Sequence, residues 1–245
     1  MPLFSPEITQ EEFFKHYWRQ KPYVFRGACA NSVSQLKECT QESVLLELAG
    51  RELVESRIVS LPDYELSLGP FQLDTIPKNS LLIIQGLDQY LDEINELLLS
   101  EFSFLPRWRI EDVMATAGSD GANCGAHFDH YDVFLVQAKG TKQWQLDATH
   151  HSDSDLDDNA SLRLLNEFKP EFVETLCPGD VLYMPPDIGH WGLSGDESIT
   201  LSVGIRNPTM QELVSNLADL IVEESGGVET LDNLIPTPQG GLSDK

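Results

Sequence analysis

Residues 125–137, GAHFDHYDVFLVQ, place a histidine and an aspartate two positions apart at the start of an apolar run. On a β-strand, residues i and i+2 point to the same face. His127 and Asp129 therefore converge on one side of a sheet with Tyr131 next along, and His130 points the other way. Such a pair either hydrogen-bonds locally or shares a metal ion, and a second segment bears on the choice. Residues 177–192, CPGDVLYMPPDIGHWG, read as a turn at PGD, a strand over VLYMP and a loop that delivers His190. Two histidines and one carboxylate from two distant segments can cover one face of an octahedral metal and leave three positions free, the donor set of non-haem Fe(II) sites. A structural zinc would close four positions, usually with thiolates. The four cysteines, Cys29, Cys39, Cys124 and Cys177, are scattered without a CxxC pair and read as reduced thiols.

Three free positions suit a bidentate 2-oxo acid together with dioxygen. A 2-oxo acid with a distal carboxylate, such as 2-oxoglutarate, also needs a cation deeper in the fold. Lys142, alternating with Trp144 in GTKQWQL, is the expected anchor, because a buried lysine is costly without an anion to pair with. Thr200 and Ser202, in SITLSVG, are expected to add hydroxyl hydrogen bonds. His16, His150 and His151 lie outside both segments and are expected on the surface.

The elements that must position these residues follow from periodicity and turn chemistry. Thr9-x-x-Glu12 is a capping box that opens a helix ending before Pro22. PYVFRG reads as a short strand, and TQESVLLELAG as a helix with Thr40 as N-cap and Gly50 past its end. SRIVS, YELSL and SLLIIQG read as strands, and residues 87–99 as a helix. Six strands then follow in series: RIEDVMATA, HYDVFLVQA, TKQWQLD, EFVETLC, DVLYMPP and SITLSVGIR. Strands in series without intervening helices predict an antiparallel sandwich or barrel, mainly β with flanking helices. Residues 150–161 form an acidic loop. Met210, Leu213, Val214, Leu217, Leu220 and Ile221 mark one apolar stripe of a final helix, which is expected to pack on another subunit or on further chain. The tail IPTPQGGLSDK reads as irregular.

Within 245 residues the chain carries 40 acidic against 16 basic side chains, a net charge of −24. That surface repels phosphate backbones and anionic membranes, so no direct nucleic-acid contact is expected, and it attracts a basic protein. No apolar run is long enough to span a bilayer and no secretory signal is evident, which predicts a cytoplasmic protein.

The spacing Gly179-(five residues)-Pro185-(four residues)-His190 matches the second metal-binding motif of cupin-like jelly rolls, with Asp187 where a glycine is usual. Together with WRIEDVMATAGSDGANCGAHFDHYDVFLVQAKGTKQWQL, SVGIRNPTMQEL and the N-terminal FFKHYWRQKPYVFRG, it resembles the bacterial ribosomal oxygenases of the JmjC type, also called cupin-4 proteins, over about residues 5–225. The resemblance implies a double-stranded β-helix, Fe(II) held by His127, Asp129 and His190, 2-oxoglutarate, and hydroxylation of an arginine in a large-subunit ribosomal protein. Lys142 stands where that branch often has arginine. For a guanidinium at the mouth of the site, Tyr131 and Asp120 are the expected partners. The resemblance also divides the chain into a catalytic domain over residues 1–208 and the start of a helical dimerisation region over 209–245, without the winged-helix-like domain that follows in full-length relatives. Lysine demethylation uses the same cofactors, and an acidic cupin-like module could hold a basic protein without catalysis. Turnover of 2-oxoglutarate with iron separates that last reading from the enzymes.

Overall fold

The computed structural model describes residues 3–158 and 160–225, and its compact units are Met1–Arg206 and Asn207–Lys245. In the first, Thr9 and Glu12 exchange the two hydrogen bonds of the capping box and start α1 (Gln10–His16). After β1 (Tyr23–Phe25) comes α2 (Ala30–Gln35), which has no side-chain cap to announce it in the sequence. Thr40 does not cap the next helix. Its hydroxyl donates to the Leu36 carbonyl at 2.8 Å, and Gln41 takes the N-cap position of α3 (Glu42–Ala49) without a side-chain bond. Hydroxyls compete for nearby backbone acceptors in this way, and here the end of α2 is the nearer partner.

β2 (Ser56–Ser60), β3 (Glu65–Leu68), β4 (Ser80–Ile84) and α4 (Asp92–Glu101) lead into the strand-rich part. It comprises β5 (Ile110–Gly118), β6 (Asp132–Lys139), β7 (Lys142–His150), β8 (Phe172–Leu176), β9 (Val181–Met184), β10 (Ile188–Ser194) and β11 (Ser198–Ile205). β10 lies where the sequence predicts a loop, since Gly189 and Gly192 interrupt the alternation. Pairing with β7 makes it a strand nonetheless. Every pairing is antiparallel, in an eight-stranded sheet of order β1-β9-β6-β11-β5-β4-β2-β3 and a three-stranded sheet of order β10-β7-β8.

Alternation along the strands assigns each face of the large sheet. Val113, Ala115, Phe134, Val136, Tyr183, Leu201 and Val203 turn outward into a core shared with the N-terminal helices. There Phe13 lies edge-on to Tyr183 at 4.9 Å and Trp18 stacks on it at 5.4 Å. The Tyr183 hydroxyl donates to the buried Asp132 carboxylate at 2.5 Å. Val133, Leu135, Leu182 and Met184 turn inward and meet Trp144, Leu146, Leu176 and Ile188 of the small sheet. Strands covered on both faces must be apolar on both, which is why β11 is buried throughout. Two facing antiparallel sheets with this pattern form a jelly-roll, the double-stranded β-helix expected from the sequence.

The second unit contains α5 (Met210–Ser225), opened by Thr209, whose side chain accepts from Glu212 N–H. Its apolar residues, among them Met210, Val214 and Leu217, are exposed. The expected irregular tail lies outside the described residues. No helix among the described residues is long and apolar enough to cross a membrane.

Candidate active site

His127 and Asp129 leave the loop that precedes β6, and His190 sits in β10. The two segments are stitched together by main-chain bonds. His127 N–H donates to His190 O at 3.0 Å, His190 N–H to His127 O at 2.8 Å, and Asp187 N–H to Asp129 O at 2.7 Å. Asp187 adopts a positive φ of 65°, a conformation that asparagine and aspartate tolerate better than most residues. That tolerance lets it replace the usual glycine.

Across this seam, one ligand atom from each of His127, Asp129 and His190 lies within 4.8 Å of the other two. His190 Nε2 is 3.6 Å from Asp129 Oδ2, and the imidazole centroids are 4.3 Å apart. Each Nδ1 is 2.9 Å from a backbone carbonyl, Gly125 O for His127 and Ile188 O for His190. A carbonyl can only accept, so each Nδ1 carries a proton and Nε2 is the nitrogen left to face a metal. Burial, reinforced by the neighbouring His127, pushes the His190 pKa down to about 4, which keeps it neutral as a ligand must be. Burial also opposes charge on His127, but the Cys124 sulfur 3.9 Å away and the Asp129 carboxylate hold its pKa up at about 10. A divalent cation at the triad would displace the second proton of His127.

The triad opens onto a cleft between the sheets. On β5, Asp112, Met114 and Thr116 share its wall at period two. Tyr131, Lys142, Trp144 and Ser202 line it as well. Lys142 is 3% exposed. Its Nζ donates to Thr116 Oγ1 at 3.2 Å and lies 4.9 Å from the Trp144 ring centroid. Among the described residues no carboxylate lies within ion-pair distance of it, and burial pushes its pKa down to about 8. Beside it the indole Nε1 of Trp144 is buried without a partner. Gly192 makes room for both, since a β-carbon there would lie 2.7 Å from Lys142 Cε and from the Trp144 ring. A buried ammonium and a buried N–H, both lacking an anion, sit in the same cleft as a three-donor metal set. These residues fit a divalent metal with a carboxylate-bearing co-ligand.

The structure brings His127, Asp129, His190, Lys142, Ser202 and Tyr131 to this cleft and leaves Thr200 and Asp120 out of its lining. Thr200 shares the inward face of β11 but donates its hydroxyl to Gln137 Oε1 at 2.8 Å. Asp120 is exposed in the turn after β5. Glu55, Glu111 and Asp112 line the mouth, and of these Asp112 also lines the cleft, half-buried, its pKa raised by burial. Reading RIEDVMATA as a strand would have put Asp112 in phase with Thr116. His151 is not a surface residue either, because only 9% of its side chain is exposed.

An antiparallel double sheet with this triad at one end defines a JmjC-type β-helix. The JmjC domain model matches residues 97–213, so the chain carries a JmjC domain. The chain is 31% identical over 218 residues to the probable ribosomal oxygenase of Haemophilus influenzae, covering 86% of this chain and 53% of that protein. It is 31% identical over 238 residues to the ribosomal protein uL16 3-hydroxylase of Escherichia coli, covering 94% of this chain and 61% of that protein. It also superposes on the Escherichia coli ribosomal oxygenase YcfD in complex with cobalt and 2-oxoglutarate, with a TM-score of 0.78 and 28% identity, covering 97% of this chain and 62% of that one. The chain thus spans between half and two thirds of the length of these relatives.

Proposed function

We propose that this chain is the catalytic portion of an Fe(II)- and 2-oxoglutarate-dependent hydroxylase that acts in the cytoplasm on an arginine of a large-subunit ribosomal protein. The observation that carries the cofactor reading is Lys142, a buried cation without an anion in the cleft of the metal triad. The neighbour with cobalt and 2-oxoglutarate supports it.

His127, Asp129 and His190 would hold the iron. Lys142, steadied by Thr116, would receive the distal carboxylate of 2-oxoglutarate, and Ser202 lines the path between. Bound there, iron with 2-oxoglutarate and dioxygen supplies the oxidising power to insert one oxygen atom into a C–H bond, leaving succinate and carbon dioxide. The chain's own part is to fix the reacting groups and keep water out. Val133, Leu135 and Trp144 form apolar cleft wall around the triad. At the mouth, Asp112 offers a carboxylate and Tyr131 a ring face to a guanidinium. The net charge of −24 draws in a strongly basic polypeptide, and that attraction weakens as salt rises. We assign the exposed apolar stripe of α5 to contact with a second copy, and sedimentation at two concentrations tests it.

The test of the activity is mass spectrometry of large-subunit ribosomal proteins after incubation with the chain, Fe(II) and 2-oxoglutarate. Gain of one oxygen on an arginine is expected. Loss of a methyl group from a methyl-lysine peptide, with no oxygen gained by any ribosomal protein, overturns the reading in favour of demethylation.

A further inference from the structure

Behind the second ligand segment lies a buried hydrogen-bonded pair that is part of neither the triad nor the cleft. His151 Nε2 is 2.7 Å from Asp147 Oδ2, with side chains 9% and 4% exposed. Asp147 Oδ1 also accepts the Thr149 N–H at 3.2 Å. The pair faces an irregularity in the β7–β10 ladder, where the register shifts between Ile188 and His190. A β-carbon on Gly189 would lie 2.6 Å from Asp147 Oδ2 and 2.8 Å from His151 Nε2. The pair therefore presses on the backbone one residue before a ligand, at the point where only glycine lets it approach.

The same imidazole reaches the other ligand segment. Its ring stacks on Phe128 at 5.9 Å and 26°, and Phe128 stands between His127 and Asp129. The His151 main-chain N–H donates to Asp187 O, whose own N–H donates to Asp129 O, both at 2.7 Å. An irregular register in a β-ladder re-aims the side chains beside it, and a prop on each side fixes the new aim. A buried polar pair adds little to stability when compared with apolar packing of equal volume. Its placement against both ligand-bearing segments is a different matter.

We infer that Asp147 and His151 are positioning residues for the metal triad: together they hold the irregular backbone that aims His190, and His151 sets the spacing to Asp129 through Phe128 and Asp187. The inference rests on the reading that the triad binds a divalent metal.

Titration of the whole chain with Co(II), followed by calorimetry and by the visible absorption bands of the bound ion, tests it independently of turnover. Loss of an outer partner of a metal ligand lowers metal affinity by about 10- to 100-fold. Asp147→Ala should fall in that range and alter the Co(II) bands. Asp147→Asn keeps an acceptor facing His151 and should restore most of both. The thermal midpoint of the metal-free protein is measured alongside, since a purely structural role lowers it without altering the bands of the cobalt that does bind. If Asp147→Ala does not fold, His151→Gln, which keeps an N–H for Asp147 but loses the stack on Phe128, is measured in its place. Wild-type Co(II) affinity and bands in a folded Asp147→Ala or His151→Gln protein overturn the inference. Absence of Co(II) binding in the wild type overturns the triad reading beneath it.

Discussion

Replacing Lys142 by methionine keeps most of the side-chain length and removes the buried charge. In the ligand-free protein that charge is a liability. Burial lowers its pKa from 10.5 to about 8, and at about 1.4 kcal/mol per unit the protonated lysine costs folding roughly 3 kcal/mol at neutral pH. A lowered lysine pKa means that the penalty is complete below about 8 and fades as pH rises towards the unfolded value of 10.5. Wild-type stability without ligand should therefore climb across that window, and Lys142→Met should be more stable at pH 7 and lack the climb. With 2-oxoglutarate the balance reverses. Leaving one side of a buried charge pair unmatched costs about 3–5 kcal/mol, which is two to three and a half decades in dissociation constant. Urea denaturation between pH 7 and pH 10 reads the first effect. Calorimetric titration of 2-oxoglutarate into Co(II)-loaded protein reads the second, with retained cobalt showing that the triad is intact. A variant that binds 2-oxoglutarate within a few-fold of wild type and gains no stability would refute the reasoning on both counts.

His190→Ala should abolish hydroxylation and leave Co(II) uptake below detection, because three donors hold the ion and none is spare; wild-type turnover in that variant would remove the triad from the mechanism. Asp112→Asn should raise KM for an arginine-bearing substrate about tenfold or more, since a hydrogen bond to a charged group contributes about 1.5–3 kcal/mol. The affinity for 2-oxoglutarate should stay unchanged, and a shift in that affinity instead would place Asp112 in the cofactor site. Tyr183→Phe should lower stability by about 1–3 kcal/mol by stranding the buried Asp132 carboxylate, read as a lower urea midpoint with an unchanged slope.

The strands that carry alternation or continuous apolar runs, β5, β6, β9 and β11, were legible in the sequence, and so was the closeness of His127 and Asp129, although they lie in the loop before β6 rather than on the strand that the two-residue period assumes. The match of Gly179, Pro185 and His190 to a known spacing pointed to the third member of the cluster. What stayed hidden depended on contacts between distant segments. β10 forms because β7 offers it partners, which no window around Gly189 and Gly192 reveals. Thr40 could donate to the Leu36 carbonyl or accept from an N–H of the next helix, and local preference does not rank the two. Asp120 is near the triad only in sequence, whereas Asp112 reaches the mouth because β5 runs past it. His151 belongs by sequence to a polar, acidic loop, and only Asp147, Phe128 and Gly189 from elsewhere in the fold enclose it.

The floor and the mouth of the cleft are separated along β5, with Thr116 beside Lys142 at one end and Asp112 at the other. Four residues of extended chain span roughly 13 Å. On the proposed reading Lys142 anchors the cofactor at the inner end of a socket whose entrance also serves the polypeptide, and this geometry dictates a schedule. The small dicarboxylate has to be seated before the large partner stoppers the opening, and its spent form stays trapped until that partner departs. Steady-state kinetics should show compulsory order, and an excess of the polypeptide should inhibit by occupying an empty socket first.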